Sequence, residues 1–92
     1  MYTETTKVIN QLGLHARPAS DLTRKAKEFT SAIVIKNLSN PEAKTINAKT
    51  VMKILAATIK KGCMVEITAD GEDEQEAVKA LVQLFELGFS EK

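Results

Sequence analysis

Apolar and polar positions along the chain switch between a two-residue and a three-to-four-residue period, and the switches mark the elements. Residues 5–9 are β-branched with modest apolar content and predict an edge-like strand. Asn10 and Gly13 mark a turn. Ala19, Leu22, Ala26 and Phe29 then recur on one stripe, which predicts a helix over 17–29. Asp21, Arg24, Lys25, Lys27 and Glu28 fall mostly on its other side. Pro18 fits only the first turn, so this helix begins at or just before it, with His15 immediately outside. Residues 32–38 predict a strand with Ile33 and Ile35 on one face and Val34 and Lys36 on the other. Ser39-Asn40-Pro41-Glu42 has turn chemistry, and 44–47 returns as a short strand to complete a hairpin.

A second helix is expected over 51–59, where Val51, Met52, Ile54, Leu55 and Ile59 make a face wider than one buried stripe. Lys60, Lys61 and Gly62 are expected to end it. Residues 64–69 predict a strand with Val65 and Ile67 inward, and Asp70-Gly71 a turn. Asp73 and Glu76 have the spacing of a capping box. They open a last helix carrying Ala77, Ala80, Leu81, Leu84 and Phe85, ended by Gly88. The order is β-α-β-β-α-β-α. With one apolar stripe per helix, the economical arrangement is an α+β two-layer, open-faced sandwich: an antiparallel sheet with the helices on one face.

Composition narrows the function. The chain has 92 residues, 43% hydrophobic and 27% charged, with a formal net charge of +1. Residues 1–92 are expected to form a single domain with a real core, not a disordered chain. Near-neutral charge argues against a domain built mainly to grip nucleic acid. A small α+β nucleic-acid-binding module using the basic residues is the rival reading, and aromatics at 4% leave it no stacking platform. The only cysteine, Cys63, excludes an internal disulfide and fits a reducing compartment. Its place at the head of a strand reads as a buried small hydrophobe. With His15 the only histidine, no His/Cys metal cage is expected. The N-terminus lacks the apolar core of a signal peptide, and no apolar run approaches a membrane span, so a cytoplasmic location is expected.

The segment Gly13-Leu14-His15-Ala16-Arg17-Pro18-Ala19-Ser20 carries the candidate chemistry. A helix N-terminus presents unpaired N–H groups and a partial positive charge, which suits an anion such as phosphate. Arg17 adds a planar guanidinium that matches phosphate oxygens, and Pro18 fixes the backbone. Gly13 lets the chain turn and leaves room for a partner to approach. An imidazole beside such a cradle is a candidate nucleophile. On spacing alone, a surface histidine beside a solvated arginine is an equal reading.

GLHARPAS resembles the active-site motif of the HPr family, the histidine-containing phosphocarriers of the bacterial phosphotransferase system. Asn47-Ala48-Lys49-Thr50-Val51-Met52 resembles the family's regulatory segment, and the stretch from Lys61-Gly62 to Gly71-Glu72-Asp73-Glu74 its last strand and turn. The resemblance implies a four-stranded antiparallel sheet with three helices on one face. It also implies that His15 takes a phosphoryl group on Nδ1 from phospho-enzyme I and passes it to IIA domains of sugar permeases, without a cofactor. Such a protein is a carrier and not an enzyme. Arg17 would be the phosphate partner, with backbone N–H groups near Ala16 and Arg17 completing the cradle. Val51, Met52 and Leu55, beside Ile59, would belong to the docking surface. Arg24, Lys25, Lys27, Lys49 and Lys53 would supply either a basic rim that steers acidic partners or an ordinary solvated face. Thr50 stands where many members carry a regulatory serine, which would make it a target of an HPr kinase; as the residue before a helix it also fits a plain N-cap. Leu12 stands where the family often has a polar residue, and the loop 38–43 is a few residues longer than usual. A monomer is the expected state.

Overall fold

The computed structural model describes residues 1–90. Its elements are β1 (Tyr2–Lys7), α1 (Ala16–Ala26), β2 (Ala32–Asn37), β3 (Ile46–Asn47), α2 (Val51–Ala56), β4 (Met64–Asp70) and α3 (Glu74–Glu86), followed by a 3-10 turn at Gly88–Ser90. The strands form one antiparallel sheet in the order β1-β4-β2-β3. β4 is central: Ile67 lies opposite Glu4 on one side and Ile35 on the other.

Two-residue alternation places Ile33 and Ile35 of β2 and Val65, Ile67 and Ala69 of β4 on the helix side, each almost fully buried. They share one core with Ala19, Leu22 and Ala26 of α1, Ile54 of α2, and Ala77, Leu81 and Phe85 of α3. Val78 and Val82 are buried as well, while Ala80 and Leu84 are only half-buried, so the stripe of α3 sits one position round from the expected one. On the open face, the Thr3 and Thr68 hydroxyls of neighbouring strands meet at 2.9 Å.

Several element limits differ from the sequence expectation, each for a local reason. β1 runs 2–7 instead of 5–9, because pairing with β4 and not apolar content defines it. Just beyond Lys7 the chain stays attached through Val8, whose N–H donates to Cys63 O (2.9 Å) and whose carbonyl accepts from Gly62 N–H (2.8 Å). α1 starts at Ala16, two residues before Pro18, and stops at Ala26; tighter bonds from Glu28 and Phe29 to the carbonyls three residues back turn Phe29 out to half-burial. α2 is shorter than 51–59. It ends at Ala56, and Thr58 takes a left-handed φ of +48°. Ile59 is buried outside the helix, and Lys60 to Gly62 form a separate turn closed by Cys63 N–H to Lys60 O (3.1 Å). β3 keeps only Ile46 and Asn47; the preceding loop turns on its own bonds, Asn40 N–H to Asn37 O and Ala43 N–H to Asn40 O with Asn37 and Asn40 Oδ1 accepting from Ser39 and Glu42, and is tied to β4 through Leu38 and Ser39.

The expected capping box at Asp73 and Glu76 does not form. Asp73 precedes α3 but its side chain makes no capping bond. Its carboxylate instead accepts from Thr30 N–H (2.9 Å), Ser31 N–H (3.0 Å) and the Ser31 hydroxyl, pinning the start of α3 to the chain entering β2. These donors, the Ser31 hydroxyl foremost, hold the Asp73 carboxyl down to about 2. Cys63, expected buried, is half-buried against the core.

Candidate functional site

The loop that carries His15 is held from both sides. Asn10 closes it: its carbonyl accepts Gly13 N–H (3.1 Å) and its Nδ2 donates to Gly13 O (2.7 Å). Gly13 takes φ +65°, and a Cβ there would stand 2.5 Å from the Ile59 carbonyl oxygen and 2.7 Å from Lys60 Cα. The requirement for glycine is thus both conformational and steric. Leu14 is 3% exposed and donates its N–H to Ile59 O (2.9 Å), which bonds the loop to the chain leaving α2. On the other side, Pro18 and Ala19 are buried in the first turn of α1.

His15 is the residue before α1, with extended backbone (φ −80°, ψ −167°), and it is half-buried. Its carbonyl accepts the first intrahelical bond, from Ala19 N–H at 3.0 Å, while its side chain makes no capping bond. Ala16 and Arg17 are exposed and precede that first donor, and Pro18 has no N–H to give. The open helix start therefore offers the N–H groups of Ala16 and Arg17, with the His15 imidazole and the Arg17 guanidinium two residues apart in sequence. An anion over this start meets two backbone donors, the positive end of the helix dipole and the Arg17 cation two residues along the chain from the His15 imidazole.

The other expected residues separate into groups. Met52 is 70% exposed, but Val51 and Leu55 are half-buried against the core, so the apolar face of α2 is divided between packing and surface. Leu12, 72% exposed, adds a second large apolar side chain in the loop that precedes His15. Thr50 is the residue before α2, half-buried, and its hydroxyl makes no capping bond; the plain side-chain cap is not formed. The basic rim is largely committed. Arg24 pairs with Asp21, Lys25 Nζ lies 3.4 Å from Glu28, and Lys49 Nζ donates to Phe29 O at 2.8 Å, which ties the chain before α2 to the end of the α1 segment. Lys27 and Lys53 remain exposed. Asn10, expected as a turn residue, closes the loop, while the positioning parts that sequence reasoning passed over are the buried Leu14 and the Ile59 carbonyl. The signal for Leu14 was an apolar residue between a turn glycine and the histidine.

Fold and site together define a class: a small phosphocarrier, in which an open-faced sandwich holds one helix start rigid and open to partners. The comparisons with known proteins agree. The family model described as "PTS HPr component phosphorylation site" matches residues 2–86. A phosphocarrier protein HPr of Lysinibacillus sphaericus is 38% identical over 92 residues, covering 99% of this chain and all of that one. The crystal structure of HPr-C-His from Thermoanaerobacter tengcongensis superposes with a TM-score of 0.89 at 39% identity, covering 100% of this chain and 99% of that one. A multiphosphoryl transfer protein of Haemophilus influenzae is 37% identical over 87 residues; these are 95% of this chain but only 17% of that protein's length. The chain belongs to the HPr family, the phosphocarriers of the phosphotransferase system.

Proposed function

We propose that His15 is the residue that carries the phosphoryl group, and that residues 1–92 act as one carrier domain. The Nδ1 lone pair of the neutral imidazole attacks phosphorus as the bond to the phospho-enzyme I donor breaks. The reverse step hands the group to a IIA domain of a sugar permease. Arg17 and the Ala16 and Arg17 N–H groups take the charge on the phosphoryl oxygens, which is most of what a protein contributes to such a transfer. The observation that carries this reading is the helix start itself: His15 stands next to the exposed Ala16 and Arg17, with Pro18 and Leu14 buried to hold it in place.

Met52, with the exposed parts of Val51 and Leu55, forms the docking face for these partners. Thr50 adjoins that face, so a phosphate added there by an HPr kinase would have to be desolvated on docking and would inhibit the relay. The carrier works as a cytoplasmic monomer without a cofactor. Among the described residues no helix is long and apolar enough to cross a membrane.

The test is incubation with phosphoenolpyruvate and enzyme I, followed by intact mass. One acid-labile phosphate is expected on the native chain and none on His15→Ala. A His15→Ala protein that still gains an acid-labile phosphate refutes the assignment.

A further inference from the structure

Between the loop 38–45 and α2 lies a groove of about 710 Å³, within the ~300–1,000 Å³ span of small-molecule sites. Lys44 and Lys53 line it and no carboxylate does. Asn37, Asn40 and Asn47 line it too, and the Oδ1 of each is already occupied by a backbone N–H: Ser39 at 3.0 Å, Glu42 at 3.0 Å and Lys49 at 2.9 Å. What the three asparagines have left to present is their Nδ2 donors, for which the described residues supply no acceptor. Asn37 matters most. It is only 7% exposed, in the strand register of Ile33 and Ile35, and its Nδ2 keeps access to solvent where the residue lines the groove. A molecule seated in the groove would replace that water with an acceptor of its own. Hydroxyls of Thr45, Thr50 and Thr58 complete the polar lining, that of Thr58 already donating to Ala57 O (2.8 Å).

A recess rich in donors, with two ammonium groups and no carboxylate, suits an anion whose remaining surface is mostly oxygen acceptors. We infer that this groove binds a small sugar or polyol phosphate, its phosphate between Lys44 and Lys53 and its hydroxyl oxygens on the asparagine amides. Neither His15 nor Arg17 lines the groove, so the site is separate from the phosphoryl-carrying helix start and does not depend on that reading. Its outer wall is the hairpin loop that leads from β2 to β3. An occupant would lie against Thr50 and so sit beside the docking face of α2.

The experiment titrates the full ¹⁵N-labelled chain with glucose 6-phosphate, glucose or inorganic phosphate, and follows the amide shifts. Glucose 6-phosphate should give saturable shifts centred on Asn37, Asn40, Asn47 and Thr50. Inorganic phosphate should act more weakly on the same residues, and glucose should not bind. The double variant Lys44→Gln/Lys53→Gln removes two exposed cations and should weaken binding by about tenfold or more, the loss expected for charge-assisted contacts. Asn37→Asp keeps the acceptor used by Ser39 and replaces the donor with an oxygen, so it should weaken binding similarly; if that variant fails to fold, the lysine pair decides alone. Shifts confined to residues 15–17, shifts without saturation, or unchanged affinity in the lysine double variant would overturn the proposal. Inorganic phosphate binding as tightly as glucose 6-phosphate would refute its polyol half.

Discussion

Replacing Gly13 with alanine tests whether the His15 loop is positioned by the end of α2. The new methyl would occupy a point 2.5 Å from Ile59 O and 2.7 Å from Lys60 Cα, both backbone atoms that cannot swing away as a side-chain tip can. The backbone is already at φ +65°, and a residue with a Cβ pays roughly 1–2 kcal/mol for that conformation. The least disruptive relief moves the loop outward, which stretches or breaks the 2.9 Å bond from Leu14 N–H to Ile59 O. Losing it removes about 0.5–1.5 kcal/mol more. Together these give roughly 1.5–3.5 kcal/mol, a large part of the ~5–15 kcal/mol that holds a small domain together. At 2 kcal/mol the melting temperature should fall by about 8–16 °C. The same displacement moves His15 relative to α2, so phosphoryl uptake from enzyme I should fall at temperatures where the variant is fully folded by circular dichroism. A Gly13→Ala chain that melts within about 0.5 kcal/mol of the native one, close to the spread of neutral surface changes, and takes up phosphate at the native rate, would refute this account of how the loop is held.

Arg17→Lys keeps the charge but loses the planar fork, and should slow transfer with native circular dichroism; Arg17→Ala should raise the barrier by about 1.5–3 kcal/mol if the contact is made in the transition state, and unchanged kinetics in both would exclude the role. Asp73 is held down to about 2, below its ordinary value of 3.8, by the Ser31 hydroxyl and the Thr30 and Ser31 N–H groups; its contribution is therefore complete above the ordinary value and lost as pH falls from there toward the folded one. Asp73→Asn should flatten that part of an acid-denaturation curve, and a curve parallel to the native one would show that the latch does not form. Met52→Glu should weaken docking of enzyme I with little change in melting temperature, because Met52 is 70% exposed, whereas Leu55→Glu should lower both; a large loss of stability in Met52→Glu would place that side chain in the core. Thr50→Asp should slow acceptance from enzyme I, and a native rate would mean that charge at this end of α2 does not gate docking.

The elements were legible where periodicity was unbroken, as in α1, β2 and β4, because burial against a single face writes itself into spacing. The helix start was legible for the same reason that it is compact: His15, Ala16, Arg17 and Pro18 are consecutive, so local rules of helix termini apply to them directly. What could not be read was set by contacts between distant residues. Asp73 has the spacing of a cap, but its partners Thr30 and Ser31 lie 43 and 42 residues away and outcompete the local role. Lys49 reads as a surface cation until it meets the Phe29 carbonyl 20 residues earlier. The end of α2 was misplaced because apolar residues continue to Ile59, whereas the left-handed turn at Thr58 has no glycine to announce it.

Pro18 as the third residue of α1 has a consequence for how a relay runs in both directions. Most residues there would give a bound phosphoryl group another backbone donor; proline withholds it. One further charge-assisted hydrogen bond is worth about 1.5–3 kcal/mol, enough to shift a transfer equilibrium by roughly ten- to a hundredfold toward the loaded state. A carrier that gripped its cargo so firmly would load readily and unload poorly. If His15 carries the group, a seat one donor short holds the loaded form less tightly by that amount, which favours handing the group on.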